Sequence, residues 1–208
     1  MATKHRDVLV SGWGKPQADL ERVLRAWLKI LDRYRAAAPR DAPYWFNERA
    51  SVSTLAAGAW ACGGVSLEEY SSRKGKRQLS AGRADLWIRT SSCSYSLEAK
   101  QLFRSFRGHT CVTAASEWLE WAAEDARKIQ RSEARKRGGV LFLAPYVRRG
   151  YAAEFKAGAW VEGLLKEVDH DFAAWWFCRP GTTPPTSIDK SSGWHAYYPG
   201  VILLGRFV

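Results

Sequence analysis

The alternation of apolar and polar positions divides this chain into a series of helices and strands. Leu20, Val23, Leu24, Trp27, Leu28, Leu31 and Tyr34 recur at helical spacing and predict an amphipathic helix from Pro16 to about Ala38. The segment Pro39 to Pro43 stops it. A second, alanine-rich helix is expected from about Asn47 to Ala61, around Val52, Leu55 and Trp60, ending at Gly63-Gly64. Val65 to Ser71 reads as a strand, and Arg73-Lys74-Gly75-Lys76-Arg77 as a basic turn. Two apolar runs follow, Leu86-Trp87-Ile88 and Tyr95-Leu97-Ala99, joined by the polar turn Thr90-Ser91-Ser92; both read as strands. Beyond the basic loop Arg104 to His109, a long helix is expected from about Thr113 to Arg137, with Trp118, Leu119, Ala122, Ala126 and Ile129 inward and Gly138-Gly139 as its stop. The unbroken apolar run Val140 to Val147 suits a central or parallel strand. A helix from Glu154 to about Val168, an aromatic strand Phe172 to Cys178, a Pro/Thr/Ser-rich loop 181–193 and a closing strand Val201 to Leu204 complete the reading. The expected fold class is α/β, a mixed central sheet flanked by helices, and the 208 residues suit one domain.

The chemistry concentrates in the middle of the chain. Side chains two apart on a strand share a face, so Glu98 and Lys100 project together while Leu97 and Ala99 turn into packing. Pairing of the two central strands brings Asp85 near Glu98. Two carboxylates and an ammonium on one face make a poor core and a good site for a hard cation such as Mg²⁺. A neighbouring lysine can polarise a water or hold a phosphate. The plainer reading is a solvated strand whose Glu and Lys pair across the sheet. Embedding of the triplet in an apolar strand, and Gly82 before the aspartate, favour the site.

Asp85, Glu98 and Lys100, written D-x12-E-x-K, resemble the motif of the PD-(D/E)xK nuclease superfamily, with Ala84 standing where many members have proline. The resemblance implies a restriction-endonuclease-like, three-layer α/β/α fold built on an α-β-β-β-α-β core. It implies Mg²⁺, with Mn²⁺ as a substitute, bound by Asp85, Glu98 and the main-chain carbonyl of Ala99. Lys100 is then expected to orient the attacking water or to stabilise the negative charge that gathers on the phosphate. Glu48, from the preceding helix, and Gln101, just after the lysine, are the further catalytic candidates by the same resemblance. The implied activity is hydrolysis of phosphodiester bonds, in DNA first of all. A non-catalytic nucleic-acid-binding or protein-interaction module on the same fold, phage- or defence-associated, is the alternative.

Composition adds a partner class. A formal net charge of +11 fits a polyanion. The expected nucleic-acid contacts are Arg73, Lys74, Lys76 and Arg77 in the turn, Arg104 and Arg107 in the loop, and Arg127, Arg131 and Arg135 four residues apart on one face of the long helix. The small size suggests a homodimer or a protein partner that supplies targeting. Cys62, Cys93, Cys111 and Cys178 form no C-x-x-C pair, and His5, His109, His170 and His195 show no ligand spacing, which speaks against a zinc site. With no apolar leader and no window long enough to span a bilayer, a cytoplasmic protein with free thiols and no membrane contact is expected.

Overall fold

The computed structural model describes residues 5–75, 80–106, 110–148, 155–179, 182, 184–189 and 194–208. In chain order the elements are β1 (Arg6–Val10), α1 (Lys15–Ala37), α2 (Pro43–Phe46), α3 (Glu48–Ala61), β2 (Val65–Lys74), β3 (Ser80–Arg89), β4 (Ser94–Ser105), α4 (Thr110–Arg127), β5 (Lys136–Arg148), α5 (Ala157–Glu167), β6 (Phe172–Phe177), β7 (Thr186–Asp189), β8 (Trp194–Tyr197) and β9 (Gly200–Phe207). The sheet runs β1-β6-β9-β5-β4-β3-β2, and the β7–β8 hairpin attaches at the end of β5. β2, β3 and β4 form an antiparallel meander, after which α4 crosses over to β5, parallel to β4. The continuous apolar run of β5 lies between β4 and β9 and is buried on both faces from Val140 to Pro145, as expected of a central strand.

Alternation along the strands builds two cores, one on each side of this mixed sheet. Leu97 and Ala99 of β4, Phe142 of β5 and Leu203 of β9 pack with Leu24, Trp27 and Leu31 of α1 and Leu55 of α3. Leu141 and Leu143, with Ile202 and Leu204, pack instead against Ala115 and Leu119 of α4 and Leu164 of α5. Helices therefore cover both faces, giving α/β/α layering. The small residues of α3 have a purpose: a Cβ on Gly58 would stand 2.9 Å from the Trp27 main-chain nitrogen, so glycine there lets α1 and α3 touch. Among the described residues no helix is long and apolar enough to cross a membrane.

The long helix expected over 113–137 is corrected: α4 ends at Arg127, and Lys136 and Arg137 open β5. Arg131 and Arg135 therefore lie off the helix, and the three-arginine stripe does not exist. Two causes override the helical pattern. The main chain past Arg127 is engaged elsewhere: Gly75 N–H donates to Lys128 O at 2.9 Å, Ile129 bridges Lys74, and the Arg137 guanidinium donates to Ile129 O at 2.6 Å. The glycine pair is no helix stop either. A Cβ on Gly139 would fall 2.3 Å from Ala123 N, so this glycine lets α4 lie directly on β5. The basic turn is also corrected, since Arg73 and Lys74 belong to β2; Lys76, Arg77 and Arg107 lie outside the described residues. β1, which pairs with β6, was not expected; the run Val8-Leu9-Val10 before Gly12 is its signal in the sequence.

Candidate active site at a fork in the sheet

The β3–β4 ladder runs from Arg89↔Ser94 to Leu86↔Leu97 and stops there. The next pair would be Asp85 and Glu98, and from that point β4 has no strand partner on this side. Its freed N–H groups still need acceptors. Asp85 Oδ2 accepts from Ala99 N–H at 2.7 Å, and the Glu48 carboxylate accepts from Gln101 N–H. Two carboxylates thus stand in for the missing strand. Glu48 reaches the fork because it opens α3, whose N-terminus is fixed by Asn47 Oδ1 accepting from Ala50 N–H at 2.9 Å. An acid in a first helical turn is favoured by the helix dipole, so local and site-building causes act together.

Glu98 and Lys100 project toward the α4 side. Glu98 is only 4% exposed, and Lys74 Nζ lies 2.7 Å from its Oε1. Lys100 Nζ lies 2.9 Å from Asp125 Oδ2 on α4, and Lys128 holds the other oxygen of Asp125 at 2.7 Å. Burial raises the Asp85 carboxyl above its usual range against the Ala99 N–H, Lys100 and Lys74. Burial, then the charge of Asp85, raises Glu48. Glu98 is pushed up to about 7, by burial first, with Lys74 opposing and Asp85 adding to the effect. Burial alone would lower Lys100, but Asp125, Glu48 and Asp85 outweigh it and raise it.

The arrival of Lys74 depends on a strained residue. Before Glu69, the even positions of β2 face α3: Ser66 Oγ donates to Ala56 O and Ser53 Oγ to Glu68 Oε2. After it they face the other way, Tyr70 OH meeting Ser96 Oγ at 2.7 Å, Ser72 meeting Glu133, and Lys74 meeting Glu98. Glu69 itself has φ +49°, a left-handed conformation that costs a non-glycine residue on the order of 1 kcal/mol or more. Its pair with Asp85 is missing from the β2–β3 ladder. The face swap occurs beside the site and turns Lys74 into it. Arg49 Nε and Arg83 Nε hold the Glu69 carboxylate at 3.2 and 3.1 Å.

Asp85, Glu98, Lys100 and Glu48 are thus brought together, joined by Lys74 and Asp125. Gln101 is not. It lies on the opposite face, where its Oε1 accepts from Ser51 Oγ at 2.7 Å and its Nε2 donates to Tyr44 O at 3.0 Å. Only its main-chain N–H serves the fork. Lys74 is also placed differently from expectation, as a partner of Glu98 rather than a solvated phosphate contact. Asp125 was missed; in sequence it is one more acid on an amphipathic helix, paired at i+3 with Lys128. Of the expected nucleic-acid contacts, Arg73 and Arg104 are exposed at strand ends and Arg131 in the connection to β5. Arg127 is paired with Glu120 at 2.7 Å, and Arg135 anchors to the Ser94 hydroxyl through its N–H at 3.0 Å.

Among the described residues, no group of three or more His, Cys, Asp or Glu side chains is arranged to hold a metal ion. The donor chemistry nonetheless fits a hard divalent cation. Asp85 is a half-buried and Glu98 a buried oxygen donor; burial opposes the ionisation of both, the charge of Asp85 adds to the cost at Glu98, and a cation relieves these costs. Further ligands would come from the main chain, water or a phosphate. The Cys62, Cys93, Cys111 and Cys178 thiols are free and lie in no such set. Comparison of the chain with family models, with curated proteins and with solved structures gave no match in any of the three.

Proposed function

We propose that the chain is a divalent-metal-dependent nuclease of the PD-(D/E)xK type, acting on DNA. The observation that carries this reading is the convergence of Asp85, Glu98, Lys100 and Glu48 at the point where β3 and β4 part. The order α3-β2-β3-β4-α4-β5, with β4 and β5 parallel, supports it as the α-β-β-β-α-β core of a restriction-endonuclease-like fold. Asp85 and Glu98 would hold Mg²⁺, with Mn²⁺ as a substitute and the Ala99 carbonyl as a further ligand. When bound, the metal supplies positive charge at the scissile phosphate and acidifies a water. Lys100, held by Asp125, places its ammonium where negative charge develops in the transition state. Glu48, with its carboxyl raised, is the group at the fork suited to accept a proton from the attacking water.

The test is a screen of single-stranded, double-stranded and branched DNA with Mg²⁺ or Mn²⁺. Metal-dependent cleavage by the parent, abolished in Asp85→Asn and in Lys100→Met, is the expected result. Undiminished cleavage by Asp85→Asn overturns the reading. The Lys74–Glu98 ion pair favours one other reading, a non-catalytic nucleic-acid-binding protein whose acid is neutralised internally. Calorimetry separates the two, since that protein takes up neither metal.

A further inference from the structure

The main chain on either side of Lys74 is clamped to the connection between α4 and β5. Ser72 Oγ donates to Glu133 Oε1 at 2.9 Å and Arg73 N–H to the same oxygen at 3.0 Å. Past the lysine, Gly75 N–H donates to Lys128 O at 2.9 Å, and Gln130 Nε2 donates to Gly75 O at 2.8 Å. Gly75 has φ +127°, a conformation open to glycine and strained for other residues. The stem of the lysine is seated as well. A Cβ on Gly82 of β3 would stand 3.2 Å from Lys74 Cδ and 3.4 Å from its Cγ, so glycine there leaves the strand surface open for the stem to lie across it. Clamped backbone, glycine seat and the face swap at Glu69 together deliver one ammonium to Glu98.

The contact made there is incomplete. Lys74 Nζ lies 2.7 Å from Glu98 Oε1, yet this buried oxygen has no hydrogen-bond partner among the described residues. The ammonium opposes the charge without satisfying the lone pairs, which is costly in a finished buried pair and useful where the partner is to be exchanged. A magnesium ion on the same oxygen would sit at ~2.1 Å, within about 5 Å of Nζ, so a divalent cation and the ammonium would repel strongly in a half-buried space. The Lys74 side chain is 21% exposed, so its head has a route to water while its main chain stays fixed. We propose that Lys74 is a tethered stand-in for the metal: its ammonium occupies Glu98 in the metal-free chain, and a divalent cation enters the fork by displacing it. This rests on the metal site of the nuclease reading. Because the competitor is attached, it acts at an effective concentration on the order of millimolar whatever the protein concentration, and sets the affinity of the site for the metal.

Two measurements test the displacement, neither of them an activity. In the parent chain, reductive methylation of lysines is followed by peptide mass spectrometry without metal, with saturating Mg²⁺, and with choline chloride at the same ionic strength. Mg²⁺ is expected to speed methylation of Lys74 several-fold, while Lys128, paired with Asp125, and the choline control stay unchanged. In calorimetry, Lys74→Met should bind Mg²⁺ about tenfold tighter or more than the parent. Arg73→Met removes the same charge from the exposed neighbouring position and should change the affinity less than twofold. Mg²⁺ bound by the parent with Lys74 methylation unaltered overturns the proposal, as does a folded Lys74→Met chain with parent affinity; if that variant does not fold, the methylation result decides alone. Cleavage is scored separately. Metal-dependent cutting of DNA with Lys74 undisplaced removes the stand-in and leaves the nuclease. Displacement of Lys74 by Mg²⁺ with no cleavage of any DNA leaves the stand-in and removes the nuclease.

Discussion

Replacing Glu98 by glutamine in the metal-free protein should make the chain more stable at pH 8 and leave it unchanged at pH 4. Glu98 is 4% exposed, and its carboxyl is raised from the ordinary 4.5 to about 7 by burial, despite Lys74 beside it. Between those values the folded chain holds a proton that the unfolded chain has lost. Stability therefore falls as pH rises from 4.5 to 7, and stays lower above. A displacement of that size corresponds to about 3 kcal/mol at ~1.36 kcal/mol per tenfold change in affinity for the proton. Lys74 is 21% exposed at its side chain, so water screens part of the effect, and ~1–3 kcal/mol is expected. Glutamine keeps the shape and carries no charge. Asp85 and Asp125, the other acids acting on this group from β3 and α4, are relieved by the same change and push in the same direction. Urea denaturation of parent and Glu98→Gln at pH 4, 6 and 8 measures the difference directly. A difference that does not change with pH, or a glutamine variant weaker than the parent at pH 8, would refute the buried-carboxylate account.

Lys100→Met should abolish metal-dependent cleavage while the melting temperature moves by only a degree or so, because its ion pair with Asp125 is partly solvated. Asp85→Ala should be less stable than Asp85→Asn by about 1–2 kcal/mol in urea denaturation, since alanine leaves the Ala99 N–H without its acceptor; equal stabilities would show that the fork is not held this way. Asp19 closes the β3–β4 turn by accepting from Ser91 Oγ, Ser92 N–H and Ser92 Oγ. Burial opposes its ionisation, but the Ser92, Ser91 and Thr90 hydrogen bonds outweigh it and lower its pKa to about 2. Asp19→Asn should cost on the order of 1–2 kcal/mol at pH 7, and the difference should vanish as pH falls through about 2, followed by acid denaturation. Gly139→Ala should cost about 3 kcal/mol or more, read from the denaturation midpoint, because its methyl meets the α4 main chain.

Much of this is legible in the sequence wherever a simple period decides. The Glu-x-Lys strand, its apolar partners Leu97 and Ala99, and α1 follow from periods of two and 3.6. The same alternation places Gln101 across the sheet from Lys100, so its exclusion from the site was available in the sequence as well. Other features depend on partners distant in the chain. Helical spacing continues to Ile129, but Ile129 is buried against the tail of β2, not on a helix. Gly138-Gly139 reads equally as a helix stop and as a close approach, and only the position of α4 decides between them. Lys74 falls in a basic run that looks solvated, because the face swap at Glu69 leaves no mark in the pattern.

The fork also explains why carboxylates accumulate where a sheet would ordinarily continue. Once β3 turns away, β4 is left with N–H groups inside a protein layer, and any fold must give them acceptors. A side chain from α3 and one from β3 do this, but each brings a negative charge into a half-buried space. Glu98 adds a third from the α4 side. Cations then become necessary for the fold itself, and Lys74 and Lys100 supply them in the metal-free chain. The carboxylates and their lysine partners therefore arise together from one departure in strand pairing. Lys74 has a special standing among them. It reaches Glu98 only through a strained residue, whereas Lys100 arrives by ordinary alternation. A fold needing only neutralisation would not require that strain, since an apolar residue at position 98 removes the problem at lower cost. A buried acid, a strained residue of the strand and a second lysine meet at the same point, and backbone strain of this kind clusters where a side chain must be held in one place against local preference.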